Sequence, residues 1–223
     1  MAGTSRHTNE PEDAARFTRQ WDEAYTRFAK TYDVAVRLLP VWKTWLRRAL
    51  PHIRGPRVLE VSFGTGYLLS QYSGRFETHG VDYNRKMATI ARKNGRRAGA
   101  KAHLLQGNVE ALPYPDACFD CVVNTMAFTG YPNGARALGE MKRVLRNDGR
   151  LVLIDVTFPS DGNWLGTRVA KLWEGSGDVL RDMPESFREA GFDYTDDSVG
   201  AWGSVRLYVA KKSEATLTRG STD

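Results

Sequence analysis

The chain is poor in cysteine and histidine and has no long apolar run. Its two cysteines, Cys118 and Cys121, leave no room for a disulfide framework among 223 residues. Their spacing reads C-x-x-C, but a redox or zinc role would want the motif at a helix start or a second ligand pair, and neither accompanies it. The pair lies in CFDCVV, at the entry to what reads as a buried strand, so a core position and no metal site are expected. No stretch approaches the roughly 20 apolar residues of a membrane span. With 41% hydrophobic and 26% charged residues the chain can fill one core and is too short for two ordinary domains. The opening MAGTSRHTNEPE holds both charge signs and no apolar stretch, unlike a secretory leader, so a cytoplasmic location is expected.

Basic charge, by contrast, is plentiful and uneven. The net charge is +6, and residues 85–101 carry seven basic side chains and no acid. A solvated helix face accounts for this; an anionic partner, a phospholipid surface or a nucleic acid, is the sharper alternative.

After a polar leader, Phe17, Trp21, Tyr25, Phe28 and Tyr32 recur every three or four residues, which predicts a helix with an aromatic stripe. The stripe either docks on the core or forms a lid whose rings also line a pocket. Pro40 interrupts it, and a second helix is expected to bury Trp42, Trp45, Leu46 and Leu50. From Arg57 short apolar runs alternate with helical stretches: VLEV at 58–61, THGVD at 78–82, AHLLQ at 102–106, CVVN at 121–124 and RLVLID at 150–155. This rhythm predicts βαβ units and a parallel sheet covered on both faces. Between the fourth and fifth strands a helix should turn Leu138, Met141, Val144 and Leu145 inward and close on an Asn147-Asp148-Gly149 turn. FDYTDDSV and SVRLYVAKK, joined by a Gly-Ala-Trp-Gly turn, read as a final antiparallel pair. The expected division is a disordered leader at 1–12, a helical lid at 13–55, one α/β domain at 56–212 and a disordered tail at 213–223.

The first strand runs into Glu60-Val61-Ser62-Phe63-Gly64-Thr65-Gly66, a loop whose glycines admit a ligand close to the backbone and which opens a helix. A dinucleotide fingerprint would need glycine where Leu69 stands, which disfavours nicotinamide or flavin. Glu60 at the strand end points instead to a ligand bearing an ammonium group. Asp82, at the tip of the second strand, suits the two hydroxyls of a ribose; as an alternative it would cap the helix that follows.

The blocks VLEVSFGTG, GVDYN, GNVEALPYPDACFD and GEMKRVLRNDGRLVLID fall in order across residues 28–156 together with FAKTYD at 28–33. In this they resemble class I S-adenosylmethionine-dependent methyltransferases related to the ubiquinone/menaquinone C-methyltransferases (methyltransferase type 11). The resemblance implies a Rossmann-like, doubly wound, mostly parallel seven-stranded sheet with an antiparallel last strand and an N-terminal helical lid. It implies S-adenosyl-L-methionine as cofactor, with Glu60, Ser62, Gly64 and Gly66 around the methionine moiety, Asp82 on the ribose, and Tyr83 and Met87 flanking adenine. Asn108 and Val109 would contact the adenine edge, Asn124 would face the sulfonium end, and Tyr32 would reach the cofactor carboxylate from the lid. Ser62 and Phe63 depart from the family's glycine and small residue, and Asn108 from its aspartate, which puts the cofactor's seat in question.

For the acceptor, none of His7, His52, His79 and His103 falls at a strand C-terminus, and Tyr25 and Tyr32 are the candidate catalytic side chains. The stretch after the fourth strand, Asn124-Thr125-Met126-Ala127, lacks the Pro-Pro run of nucleic-acid amino-methyltransferases, so nucleic acid is disfavoured as a partner. Phe128, Tyr131, Phe158, Trp164 and Trp173, read as lining the site with the lid rings, point to a small apolar or aromatic acceptor. A peripheral-membrane phospholipid or quinone methyltransferase, and a binding protein without turnover, are the alternatives. Oligomeric state is not legible.

Overall fold

The computed structural model describes residues 10–38 and 40–214, with side chains for all of these except 28–39. The expected leader and tail fall almost wholly outside the described residues, as do the side chains of Phe28 and Tyr32. Among the described residues the strands are β1 (Arg57–Val61), β2 (Glu77–Asp82), β3 (Ala102–Gln106), β4 (Phe119–Thr125), β5 (Leu145–Val156), β6 (Phe192–Gly200) and β7 (Val205–Lys212). They form one sheet in the order β3-β2-β1-β4-β5-β7-β6. Strands β1 to β5 pair in parallel, while β7 runs antiparallel to both β5 and β6. The antiparallel element is therefore the last strand, inserted beside β5.

Alternation along the central strands builds two cores. On β1 and β4, Leu59, Val61 and Val122 enter one cluster with Leu138, Met141 and Leu153, whereas Val58, Cys121 and Val123 enter the other with Val152 and Ile154. Both faces are covered, which is why these strands read as near-continuous apolar runs. Helix α5 (Gly134–Val144) turns Ala137, Leu138, Met141 and Val144 onto the first face, after Asn133 caps its start by accepting from the Arg136 N–H at 2.7 Å. The Asn147-Asp148-Gly149 segment does not form a free turn. It lies inside β5 as an irregularity, where Phe119 pairs with Leu145 and Cys121 with Arg150; the strand resumes its ladder across the extra residues.

The N-terminal region forms α1 (Ala14–Leu38) and α2 (Pro40–Arg47). Pro40 opens the second helix, where its missing N–H costs nothing. Of the expected buried side of α2, Leu46 is fully buried and Trp42, Trp45 and Leu50 pack half-buried against the second core. The remaining helices are α3 (Leu69–Tyr72), α4 (Arg85–Ala98), α6 (Trp164–Gly175) and α7 (Met183–Ala190). The seven basic residues at 85–101 all lie exposed on α4 and the loop after it. The order in which successive strands are laid down reverses between β1 and β4, and a parallel sheet opens a crevice at such a switch point, beyond the strand carboxyl ends.

Candidate functional site

A cleft of about 1140 Å³, counting its mouth, opens at that switch point. Its first wall is the β1 loop. Ser62 sits at φ +53°, a left-handed conformation that favours glycine, and its N–H donates to the Val81 carbonyl at 2.7 Å. Asp82 organises two backbones at once: Gly64 N–H donates to Oδ2 and Asn84 N–H to Oδ1, each at 2.8 Å. The Phe63 ring does not fill the cleft. It packs with Leu69, Ala88 and Ala91, over the place where a Cβ on Gly80 would come within 2.7 Å of it. The departure at Phe63 is thus absorbed by Gly80.

The cleft's charge is opposite to the chain's. Asp22, Glu60, Asp82 and Glu110 border it, and no lysine or arginine does among the described residues. Burial pushes the Glu60 carboxyl up to about 8 against the bond donated by the Tyr72 hydroxyl to Oε2 at 2.7 Å, and Asp82 adds its like charge. Burial likewise lifts Asp82 to about 6, opposed by the two backbone N–H groups it accepts. Such a site favours a cationic ligand, which would return these groups to their ionised form.

The second wall comes from the loop after β4. Asp155, at the end of β5, accepts from the N–H groups of Phe128 at 2.5 Å and Thr129 at 3.2 Å. From the other side the buried Arg181 guanidinium donates to the carbonyls of Phe128 at 3.1 Å and Tyr131 at 2.5 Å. Held this way, Gly130, Tyr131 and Pro132 reach the cleft. The Tyr131 hydroxyl then donates to Ser62 Oγ at 2.7 Å and accepts from Asn124 Nδ2 at 2.6 Å, joining the β1 loop to the β4 tip.

Helices α1 and α2 form the roof. Asn84 caps α4 through Met87 N–H at 2.9 Å and also donates to Asp22 Oδ1 at 2.7 Å and Thr26 Oγ1 at 2.8 Å. One buried side-chain amide therefore ties the start of α4 to the lid. Trp21 and Tyr25 stack at 5.6 Å and border the cleft with Trp42, which stacks at 6.1 Å on Trp173.

Of the side chains expected at the site, Tyr25, Glu60, Ser62, Gly64, Asp82, Tyr83, Met87, Asn108 and Val109 border this one cleft. Asn108 also caps the turn after it by accepting from Glu110 N–H at 3.0 Å. Tyr32's side chain lies outside the described residues. Gly66 and Asn124 do not border the cleft. Gly66, at φ +76°, lets the loop close on α4, where a Cβ would approach that of Ala91 to 3.1 Å, while Asn124 is fully buried, its amide nitrogen donating to the Tyr131 hydroxyl and the Val61 carbonyl. Of the five rings expected to line the acceptor side, only Tyr131 does so. Phe128 is core, Trp173 lies behind Trp42, and Phe158 and Trp164 face solvent. Sequence reasoning passed over Asn84, Arg181 and Tyr67. Tyr67 borders the cleft with a buried hydroxyl that has no hydrogen-bond partner among the described residues. Only Asn84 left a signal, as an Asn before a helix.

Comparisons with known proteins agree with this geometry. Residues 59–153 match the family model described as a methyltransferase domain. The chain is 30% identical to the ubiquinone/menaquinone biosynthesis C-methyltransferase of Proteus mirabilis, over 92% of this chain and 98% of that one. It is 36% identical to the demethylmenaquinone methyltransferase of Deinococcus radiodurans, over 74% and 76% respectively. The fold superposes on an S-adenosylmethionine-dependent methyltransferase from Thermotoga maritima with a TM-score of 0.68 at 22% identity, covering 85% of this chain and 99% of that chain. A carboxylate-lined cleft at the switch point of this sheet, joined to a relative matched over nearly its whole length, places the chain in the family of class I S-adenosylmethionine-dependent methyltransferases related to the ubiquinone/menaquinone C-methyltransferases.

Proposed function

We propose that this methyltransferase modifies a small apolar or aromatic acceptor of the phenol or quinol kind, carrying no negative charge in the part that enters the cleft. The observation that carries the reading is the lining of the cleft. Its lid side is walled by Trp21, Tyr25, Trp42, Leu46 and Met126, and its polar groups include four carboxylates but no described cation. Large rings and aliphatic side chains supply most of the binding of flat apolar ligands, and the carboxylates repel an anionic one. The named activities of the two relatives on quinone precursors point the same way.

Bound S-adenosylmethionine supplies a methyl group already activated on a sulfonium, so the protein's work is to bind, orient and exclude water. The residues present fit that cofactor. Each Asp82 oxygen accepts one backbone N–H and keeps a lone pair for a ribose hydroxyl. Glu60 answers the ligand's ammonium group, with Ser62 and Gly64 around the methionine moiety, Tyr83 and Met87 against the adenine faces, and Asn108 and Val109 at its edge. On the acceptor side Tyr25 stacks on the ring and Tyr67 turns its unpartnered hydroxyl to the acceptor oxygen. No described histidine borders the cleft, and positioning supplies most of the rate.

The test is S-adenosylhomocysteine production from a panel of reduced naphthoquinols, phenols, polar amines and phosphorylated compounds. Turnover is expected with the first two groups; activity confined to polar or anionic acceptors overturns the proposal. For the cofactor seat, Asp82→Ala is expected to weaken S-adenosylhomocysteine binding by about 3 kcal/mol, roughly a hundredfold, in calorimetry. An affinity within threefold of the unsubstituted enzyme would put the ribose elsewhere.

A further inference from the structure

Four large apolar side chains that do not border the cleft are exposed. Trp164 is 65% exposed, Leu172 76%, Trp202 58% and Phe158 42%. At 100° per residue, Trp164, Arg168, Lys171 and Leu172 lie on the side of α6 opposite its inward positions Gly166, Ala170 and Trp173. The outward face is thus two large apolar groups interleaved with two cations. No ion pair among the described residues involves Arg168 or Lys171. The only carboxylate between Phe158 and Leu172 is Asp161, which accepts from Asn163 N–H at the start of α6.

Beside α6, Trp202 stands on a turn of costly geometry that packs against the helix at Gly166. Ala201, Trp202 and Gly203 lie at φ +49°, +52° and +87°, and for the two non-glycine residues that conformation carries strain. The turn is seated on α6: a Cβ on Gly166 would come within 2.3 Å of the Trp202 carbonyl oxygen. The turn packs Ala201 on the second core and leaves the Trp202 indole more than half exposed. The face lies at the same edge of the sheet as the cleft, because β5 ends at Val156, opposite Val205, and Phe158 follows two residues later. Behind it, Trp173 stacks on Trp42, which borders the cleft.

We propose that Trp164, Leu172, Trp202 and Phe158, with Arg168 and Lys171, seat the enzyme on an anionic lipid–water interface, beside the opening through which an apolar acceptor enters. Indole rings partition to that boundary, and interspersed lysine and arginine meet anionic headgroups. The exposed ring beside the basic residues of α4, Tyr83, borders the cleft instead. The proposal rests on the apolar-acceptor reading for its purpose, but its measurement is separate.

Co-sedimentation of the full chain with vesicles of phosphatidylcholine alone, or with added phosphatidylglycerol, tests it. Binding is expected with the anionic vesicles and to weaken with salt. The Trp164→Ser/Leu172→Ser variant should lower the bound fraction at least tenfold, and Arg168→Glu/Lys171→Glu should remove the preference for anionic vesicles. Arg92→Glu/Arg96→Glu on α4 should change binding less than twofold. Because all these side chains are exposed, each variant should keep the melting temperature and its turnover of a short, tail-free quinol. The docking surface is overturned if the unsubstituted chain binds no vesicle, if the α4 variant alone abolishes binding, or if the Trp164/Leu172 variant instead converts a dimer to a monomer in sedimentation velocity. Vesicle binding without turnover of any quinol would sink the acceptor reading and leave the docking surface standing.

Discussion

The two sides of the cleft are built by different means. On the side of β1 and β2, backbone groups do the holding: Asp82 collects the N–H groups of Gly64 and Asn84, and Ser62 N–H reaches Val81. Every partner lies within one βαβ unit and the turn that follows it. On the side of β4 and the lid, the loop from Phe128 to Pro132 is held by Asp155 and by Arg181, 50 residues beyond Tyr131 in sequence, and the roof is tied down by Asn84 across 62 residues to Asp22. The first wall is built from contacts close in sequence. The second is assembled by tertiary contacts that short motifs do not encode, which leaves it free to differ with the acceptor.

The largest test of this contrast is electrostatic. In the folded protein Glu60 keeps its proton to about 8, whereas an unfolded glutamate loses it near 4.5. Between those values the folded state holds more protons, so its stability falls as pH rises from about 4.5 to 8 and is level on either side. Asp82 and Asp155, each lifted to about 6 from 3.8 by burial, act in the same sense at lower pH. For Glu60 the effect is up to roughly 4 kcal/mol by pH 8. Glu60→Gln should therefore be more stable than the unsubstituted protein at pH 8, have a flatter melting profile between pH 6 and 8, and bind S-adenosylhomocysteine more weakly. Parallel melting profiles would show that the buried carboxyl does not set the pH dependence. If the ligand's ammonium lies beside Glu60, the thermal shift it produces should also be larger at pH 8 than at pH 6.

A smaller effect probes the seam between the walls. Asn84→Ser keeps an oxygen able to cap α4 but is too short to reach both Asp22 and Thr26. Loss of those lid bonds should cost about 1 kcal/mol, seen as a severalfold faster release of S-adenosylhomocysteine in stopped flow with little change in melting temperature. Asn84→Ala should add the lost cap and lower the melting temperature as well. Equal behaviour of the two variants would mean that Asn84 serves the helix alone.

The same contrast explains what could be read from the chain. The parallel strands, the antiparallel last strand, the glycine-bearing loop and the acidic strand tip follow from alternation and from backbone needs local to each βα unit. The acceptor side was misread because ring-rich loops were taken to point inward. Composition gives the presence of Phe158 and Trp164 but not their direction, which depends on the path between β5 and α6 and on the anchored turn at Trp202. Asn124 was misplaced for a related reason. Its position at a strand tip is legible, but the Tyr131 hydroxyl that claims its side chain arrives from a loop fixed by Arg181.

That hydroxyl gives the finest test. Serine at position 62 is strained at φ +53° relative to glycine, by about 1 kcal/mol, yet its Oγ accepts the proton that Tyr131 donates. Ser62→Gly relieves the strain and loses the bond, so its stability should stay within about 1 kcal/mol of the starting protein. Tyr131→Phe keeps the ring but strips Ser62 Oγ of its donor and leaves the buried Asn124 amide only its longer bond to the Val61 carbonyl at 3.4 Å, a cost of about 1 to 2 kcal/mol. With the partner already removed, adding Ser62→Gly to Tyr131→Phe should recover part of that loss, giving a coupling of about 1 kcal/mol in denaturant unfolding. Because the relay joins the wall proposed for the cofactor to the wall proposed for the acceptor, Tyr131→Phe should also raise both the Kd for S-adenosylhomocysteine and the KM for acceptor a few fold, whereas a change confined to one wall moves one constant. Strict additivity of the two substitutions, with both constants unmoved, would mean that the two walls are set independently and that Ser62 owes its place to something other than Tyr131.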